Sequence, residues 1–177
     1  MAYEFRRHPP NDPVNGRSYL ASMTSSLPTA AGGHRLRIGR YSEPGRAYLV
    51  TTVVRSRQRR FLDMGDALAT VRCLRTMDAQ GLSRTLCYVL MPDHLHWLMV
   101  LGEGVSLSEV MRRFKSYSGR RLGGPVWQRG FHDRALRREA DLLPAARYVV
   151  ANPLRAGLVR RLGDYPYWDA VWLEGGG

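Results

Sequence analysis

With 177 residues and a formal net charge of +12, from 27 basic against 15 acidic side chains, the chain suits one domain with a sizeable core plus some tail, and its partner is expected to be an anion. All the basic residues except Lys115 are arginines, whose planar forks grip phosphate two-pronged, so nucleic acid fits better than membrane. No run reaches the roughly 18 to 20 apolar residues of a spanning helix, and Met1 to Pro10 lacks the apolar core of a signal peptide, so a cytoplasmic protein with no membrane partner is expected.

Residues 1–34 carry Pro9, Pro10, Pro13, Gly16, Pro28, Gly32 and Gly33 among Ser, Thr and Asn without sustained periodicity, and read as a flexible leader. Met23 within it is a second plausible start. An ordered domain is expected over 35–172, with the glycine-ended 173–177 as a disordered tail. Ala47 to Val54, rich in β-branched and aromatic residues after the turn-forming Pro44-Gly45, is a first strand. Apolar residues at Leu68, Val71, Leu74 and Met77 predict an amphipathic helix over 67–79, closed by Gly81. Thr85 to Leu90 is a second strand, Met91-Pro92-Asp93 a turn, and His94 to Leu101 a third strand antiparallel to the second. Ser106 is a suitable N-cap, with Glu109 three residues on as in a capping box, for a helix carrying Leu107, Val110, Met111 and Phe114 that stops near Gly123-Gly124.

Val126-Trp127 is expected to start a short fourth strand. Asp141 is expected to cap a helix through Ala151, with Pro144 tolerated in its first turn, where amides have no intrahelical partner, and with Pro153 ending it. The order β-α-β-β-α-β followed by a helix describes an α+β fold: a ferredoxin-like antiparallel sheet with helices on one face and an additional C-terminal helix. Cys73, in the helical pattern, and Cys87, in the strand pattern, read as core residues.

The chemistry concentrates in two places. Strand side chains alternate, so His94 and His96 point the same way while Leu95, Trp97 and Met99 face a core, which leaves a pair of imidazoles preformed as metal ligands or phosphate-polarising groups. Downstream, Tyr148 and Asn152 are spaced i, i+4 and share one helix face, bringing a nucleophile and a third ligand together. Tyr117 is the rival nucleophile, but its i+4 neighbour is Arg121, which cannot ligate a metal. Arg40, Arg55, Arg57, Arg59, Arg60, Arg112, Lys115, Arg120, Arg129 and Arg134 are candidates for DNA binding, with strong salt dependence expected. Trp127 and Phe131 are placed either to stack on unpaired bases or, for Trp127, in the core.

His94-Leu95-His96 on a strand with Tyr148-x-x-x-Asn152-Pro153 downstream resembles the HUH single-tyrosine transposases, and most closely the REP-associated tyrosine transposases. Gly39 to Gly45, Val126 to Phe131 and Asn152 to Val159 agree in order, so the similarity spans about residues 37 to 168. The resemblance implies a catalytic domain acting on single-stranded DNA that flanks hairpins, as a monomer or homodimer. It implies His94 and His96 as two ligands to Mg²⁺ or Mn²⁺, Asn152 as the third through its side-chain oxygen, and Tyr148 as the nucleophile that becomes joined to a 5′ phosphate. Two departures stand out: His132, where relatives often have tyrosine, and Pro144 before the tyrosine. His132 is a weak candidate base for Tyr148. The competing readings are a nucleic-acid-binding ferredoxin-like module that has lost cleavage, and a metal-dependent nuclease that uses water.

Overall fold

The computed structural model describes residues 42–171; the leader expected over 1–34, Arg40 and the tail expected over 173–177 lie outside the described residues. Five strands, β1 (Ala47–Val53), β2 (Ser83–Met91), β3 (His94–Leu101), β4 (His132–Leu136) and β5 (Trp168–Ala170), form one sheet in the order β4-β1-β3-β2-β5. Every neighbouring pair is antiparallel. The helices are α1 (Met64–Ala79), α2 (Leu107–Arg121), α3 (Leu142–Val150) and the single turn α4 (Asn152–Arg155). β1-α1-β2-β3-α2-β4 is the expected ferredoxin-like unit, and β5 extends it along the outer edge of β2.

Alternation along β3 divides the molecule into layers. Leu95, Trp97 and Met99 turn towards α1 and α2, where the Trp97 and Phe114 rings pack with centroids 5.5 Å apart. Fully burying each such side chain contributes roughly 1.5 to 3 kcal/mol. Leu98 turns the other way, into a second cluster with Ala146 and Val149 of α3, so this helix covers the face that also carries the histidines. The sheet is therefore a partition with crossover helices behind it and α3 in front.

Local chemistry explains most boundaries, and it corrects several expectations. Ser106 caps α2, its Oγ accepting the Glu109 amide at 3.2 Å, but the reciprocal half of the capping box is absent because the Glu109 carboxylate takes Arg112 and Arg113 instead. α1 begins at Met64, before the expected start, because Asp63 caps it by accepting the Asp66 amide at 2.9 Å. The fourth strand is His132–Leu136, whereas Trp127 makes only an isolated bridge to Val54. Trp127 is 4% exposed and donates its indole N–H to Ser118 Oγ at 2.8 Å, which fixes it in the core and removes it as a base-stacking platform. Asp141 stands before α3 but makes no capping bond: its backbone is already helical (φ −85°, ψ −12°) and its carboxylate is held by Arg138. β5 was unexpected. Cys73 and Cys87 are buried, as expected of core residues, and burial raises both thiols, Cys87 to about 12, so neither is a poised nucleophile.

Candidate active site

His94 and His96 lie at the start of β3, on the α3 face. Their Nε2 atoms are 3.1 Å apart, with the rings edge to face. Each ring is oriented from behind. Asp93 Oδ1 lies 2.6 Å from His94 Nδ1, and Thr51 Oγ1 on β1 lies 2.9 Å from His96 Nδ1. The register explains the second contact, since Thr51 pairs directly with His96.

Burial pushes the Asp93 carboxyl up, but hydrogen bonds from His94 and Arg57 outweigh it and hold it below the usual carboxylate value. An ionised carboxylate only accepts, so His94 Nδ1 carries a proton. Burial, then the charges of His94 and Arg155, pushes His96 down to about 3, so this imidazole is neutral at neutral pH. Its proton has two satisfied positions. On Nε2 it bridges to His94; on Nδ1 it donates to the Thr51 hydroxyl and leaves the His96 Nε2 lone pair facing His94 across 3.1 Å. That second arrangement leaves a nitrogen lone pair available to a cation. The spacing suits one: two cis ligands of an octahedral ion at about 2.1 Å are about 3 Å apart. Carboxylate and hydroxyl partners behind the imidazoles are the usual device for fixing ligand tautomers.

Tyr148 sits near the end of α3, half-buried, its ring edge-on to His96 with centroids 6.3 Å apart. Asn152 opens α4, and its amide turns back to donate to the Tyr148 and Val149 carbonyls at 2.9 and 3.0 Å. It thus caps α3, with both amide protons committed and Oδ1 outside those bonds. Among the described residues no group of three His, Cys, Asp or Glu that could hold a metal ion gathers anywhere. Tyr117 is on α2, packed against the core behind the sheet, with Arg120 4.7 Å over its ring. The partition separates it from the histidines.

Three participants had not been read from the sequence: Thr51, Asp93 and Arg155. The Arg155 guanidinium lies 4.8 Å over the Tyr148 ring, and its charge reaches His96. The i+7 spacing from Tyr148 and i+3 from Asn152 carries that signal. The Thr51 contact depends on strand register, which no local pattern encodes.

The basic candidates are dispersed. Arg55, Arg57, Arg59 and Arg60 occupy two tight turns after β1, and Ser56 and Arg57 hold positive φ angles of 54° and 50° there. Arg57 reaches Asp93 at 3.2 Å, Arg55 holds the Trp127 carbonyl, and Arg60 holds Asp66 and the Leu122 carbonyl. Arg112, Lys115 and Arg120 are on α2, behind the sheet from the histidines, where Lys115 donates to the carbonyls of Gln128 and Gly130. Arg129 is exposed in the loop before β4 and Arg134 is exposed on β4. His132 is exposed on β4 opposite Thr51, one strand away from His96.

Residues 47–132 match the family Transposase IS200 like. Over that segment, just under half of the chain, the protein is similar to IS200-like transposases. The matched segment includes both histidines and ends before Tyr148 and Asn152. A REP-associated tyrosine transposase of Escherichia coli is 27% identical over 85 residues, covering 45% of this chain and 50% of the relative. A Haemophilus influenzae protein named in the same group is 27% identical over 99 residues, covering 47% and 56%. The chain thus spans about half the length of the curated relatives it matches. The fold is similar to that of a solved REP-associated tyrosine transposase bound to a REP hairpin, with a TM-score of 0.65 at 24% identity over 73% of this chain and 79% of that one. Among the described residues no helix is long and apolar enough to cross a membrane.

Proposed function

We propose that the protein is a transposase that nicks single-stranded DNA beside a hairpin and transfers the cut strand, with Tyr148 as the nucleophile. The observation that carries this reading is the edge-on approach of Tyr148 to His96, on the side of the sheet where the two Nε2 atoms converge. The Tyr148 phenolic oxygen attacks the phosphorus of one phosphodiester and gives up its proton, the bond to the leaving 3′ oxygen breaks and that oxygen takes up a proton as a 3′ hydroxyl, and the 5′ phosphate stays on the tyrosine. The phosphotyrosine linkage conserves the energy of the phosphodiester, so a second 3′ hydroxyl rejoins the strand without ATP.

His94, His96 and Asn152 would hold Mg²⁺ or Mn²⁺, which supplies charge neutralisation at the attacked phosphate. Thr51 and Asp93 orient the two imidazoles for that role. Arg155, lying over the Tyr148 ring, adds a fixed positive charge next to the proposed nucleophile, which favours developing negative charge there. The arginine turns after β1, together with Arg129 and Arg134, grip the phosphate backbone.

Incubating the protein with labelled single-stranded DNA from the flanks of its own gene and Mg²⁺ or Mn²⁺ tests the reading. Denaturing electrophoresis should show a protein–DNA adduct that Tyr148→Phe abolishes, with binding nearly intact, and that Tyr117→Phe retains. Loss of the adduct in the Tyr117 variant alone would overturn the assignment. Cleavage without any adduct would identify a nuclease using water.

A further inference from the structure

An open cleft of about 410 Å³ lies at the end of the sheet away from the histidines, lined by Arg46, Arg84, Arg137 and Arg138 against the carboxylates of Glu43 and Glu139. Arg46 is paired with Glu43 at 2.6 Å and Arg138 with Asp141 at 3.0 Å. Arg84 and Arg137 have no ion-pair or hydrogen-bond partner among the described residues, and both are exposed. Two arginines without an ion-pair partner among the described residues thus line one concave space.

The cleft opens on the same face as the candidate active site. Arg84 pairs with Val100, which lines the floor and follows His96 by four residues on β3. Strand geometry puts the two about 13 Å apart. Leu142, the first residue of α3, lies on the wall, while Tyr148 stands six residues further along the same helix, about 9 Å by its rise. Between the two places Arg134 faces the same side from β4, two residues after His132 and two before Leu136 of the cleft floor. Positive charge therefore runs along one face from the cleft towards the paired imidazoles.

We infer that this cleft holds the sugar–phosphate backbone of single-stranded DNA one or a few nucleotides away from the phosphodiester that Tyr148 attacks. The inference rests on the proposed function and names where the strand runs. The cleft's volume is in the range of small-ligand sites, about 300 to 1,000 Å³, which is room for a nucleotide of a single strand. Arginine suits the task because its fork meets two phosphate oxygens at once.

The test measures affinity for single strands of increasing length centred on the cleaved position, at several salt concentrations, for the intact protein and for Arg84→Gln/Arg137→Gln. Intact protein should gain affinity once the strand is long enough to reach the cleft. The double variant should lose that gain, and its slope of log affinity against log salt should be shallower by about 1.4, from two lost phosphate contacts on a single strand. Arg84→Lys/Arg137→Lys should keep most of the slope. Adduct formation on a strand too short to reach the cleft should be equal in all three proteins, which shows that the variants are folded. Unchanged length dependence and slope in the glutamine variant would overturn the inference, as would an equal loss with duplex DNA of the same length. If no adduct forms with any protein but the length-dependent gain is lost in the glutamine variant, the cleft stands and the catalytic reading falls.

Discussion

At the level of single residues, the placement of the candidate side chains was legible where the signal is local. Period-two alternation puts His94 and His96 on one face whatever the strand pairs with. Their supports were not legible, because Thr51 reaches His96 only through the pairing of β1 with β3, and 45 residues of chain separate them. Burial without a carboxylate partner has a measurable consequence for His96, whose folded value of about 3 lies below its ordinary 6.5. Between these values the unfolded chain binds the proton and the folded chain does not, so the contribution to stability is complete above about pH 6.5 and is lost as the pH falls towards 3. The limiting slope is about 1.4 kcal/mol per pH unit. Urea unfolding of the chelator-treated protein between pH 7 and pH 5 should show this decline, and His96→Gln should flatten it. Parallel curves for the two proteins would mean that His96 is not the neutral, buried imidazole described here.

At the level of elements, long periodic segments were legible and short edge segments were not. α1, α2, β2 and β3 each bury an apolar face that the sequence displays. β4 reads His-Asp-Arg-Ala-Leu, with mostly exposed or half-buried side chains, and becomes a strand because β1 offers an unpaired edge. β5 has three residues and depends on neighbouring contacts: Tyr165 donates its hydroxyl to the Leu90 carbonyl at 2.7 Å, and the Leu90 amide donates to the Tyr167 carbonyl at 2.8 Å. No propensity reveals such a strand. The junction of α3 and α4 was half legible. Asn152 was expected as a ligand sharing a face with Tyr148; its amide also closes the last turn of the tyrosine helix. The two roles separate by substitution. Asn152→Asp keeps an oxygen for a divalent ion but loses both donors, whereas Asn152→Ala loses everything. Both variants should lower stability by about 1 to 2 kcal/mol, in keeping with lost part-buried hydrogen bonds, and only the alanine variant should strongly weaken divalent binding. Thermal unfolding and calorimetric metal titration read the two effects independently. Equal metal affinity in all three proteins would remove Asn152 from the ligand set, and unchanged stability would remove it as a cap.

At the level of the whole molecule, a net charge of +12 predicts affinity for any phosphate backbone, so specificity has to come from geometry. The sheet separates two basic regions. The α2 side chains Arg112 and Arg120 are behind it, while the arginine turns after β1 adjoin the histidine end through the Arg57–Asp93 pair and the Phe61 amide, which donates to the Pro92 carbonyl at 3.0 Å. A tyrosine on a packed helix must meet a phosphodiester in line, which a flexible single strand permits and a continuous duplex resists. The protein should therefore bind a hairpin with a single-stranded 5′ flank more tightly than a fully paired duplex of equal length. Arg59 is the cleaner probe of the shared electrostatic part, because Arg57 also holds Asp93 behind His94. Arg59→Ala should weaken both complexes and flatten the salt slope by about 0.9 on duplex, the value of one phosphate contact. Changing the flank sequence should weaken only the hairpin complex. Electrophoretic titrations at several salt concentrations separate these contributions, since the salt slope counts phosphates and the flank dependence counts contacts to bases. Equal affinity for hairpin and duplex, insensitive to flank sequence, would instead describe a general nucleic-acid-binding module built on the same sheet.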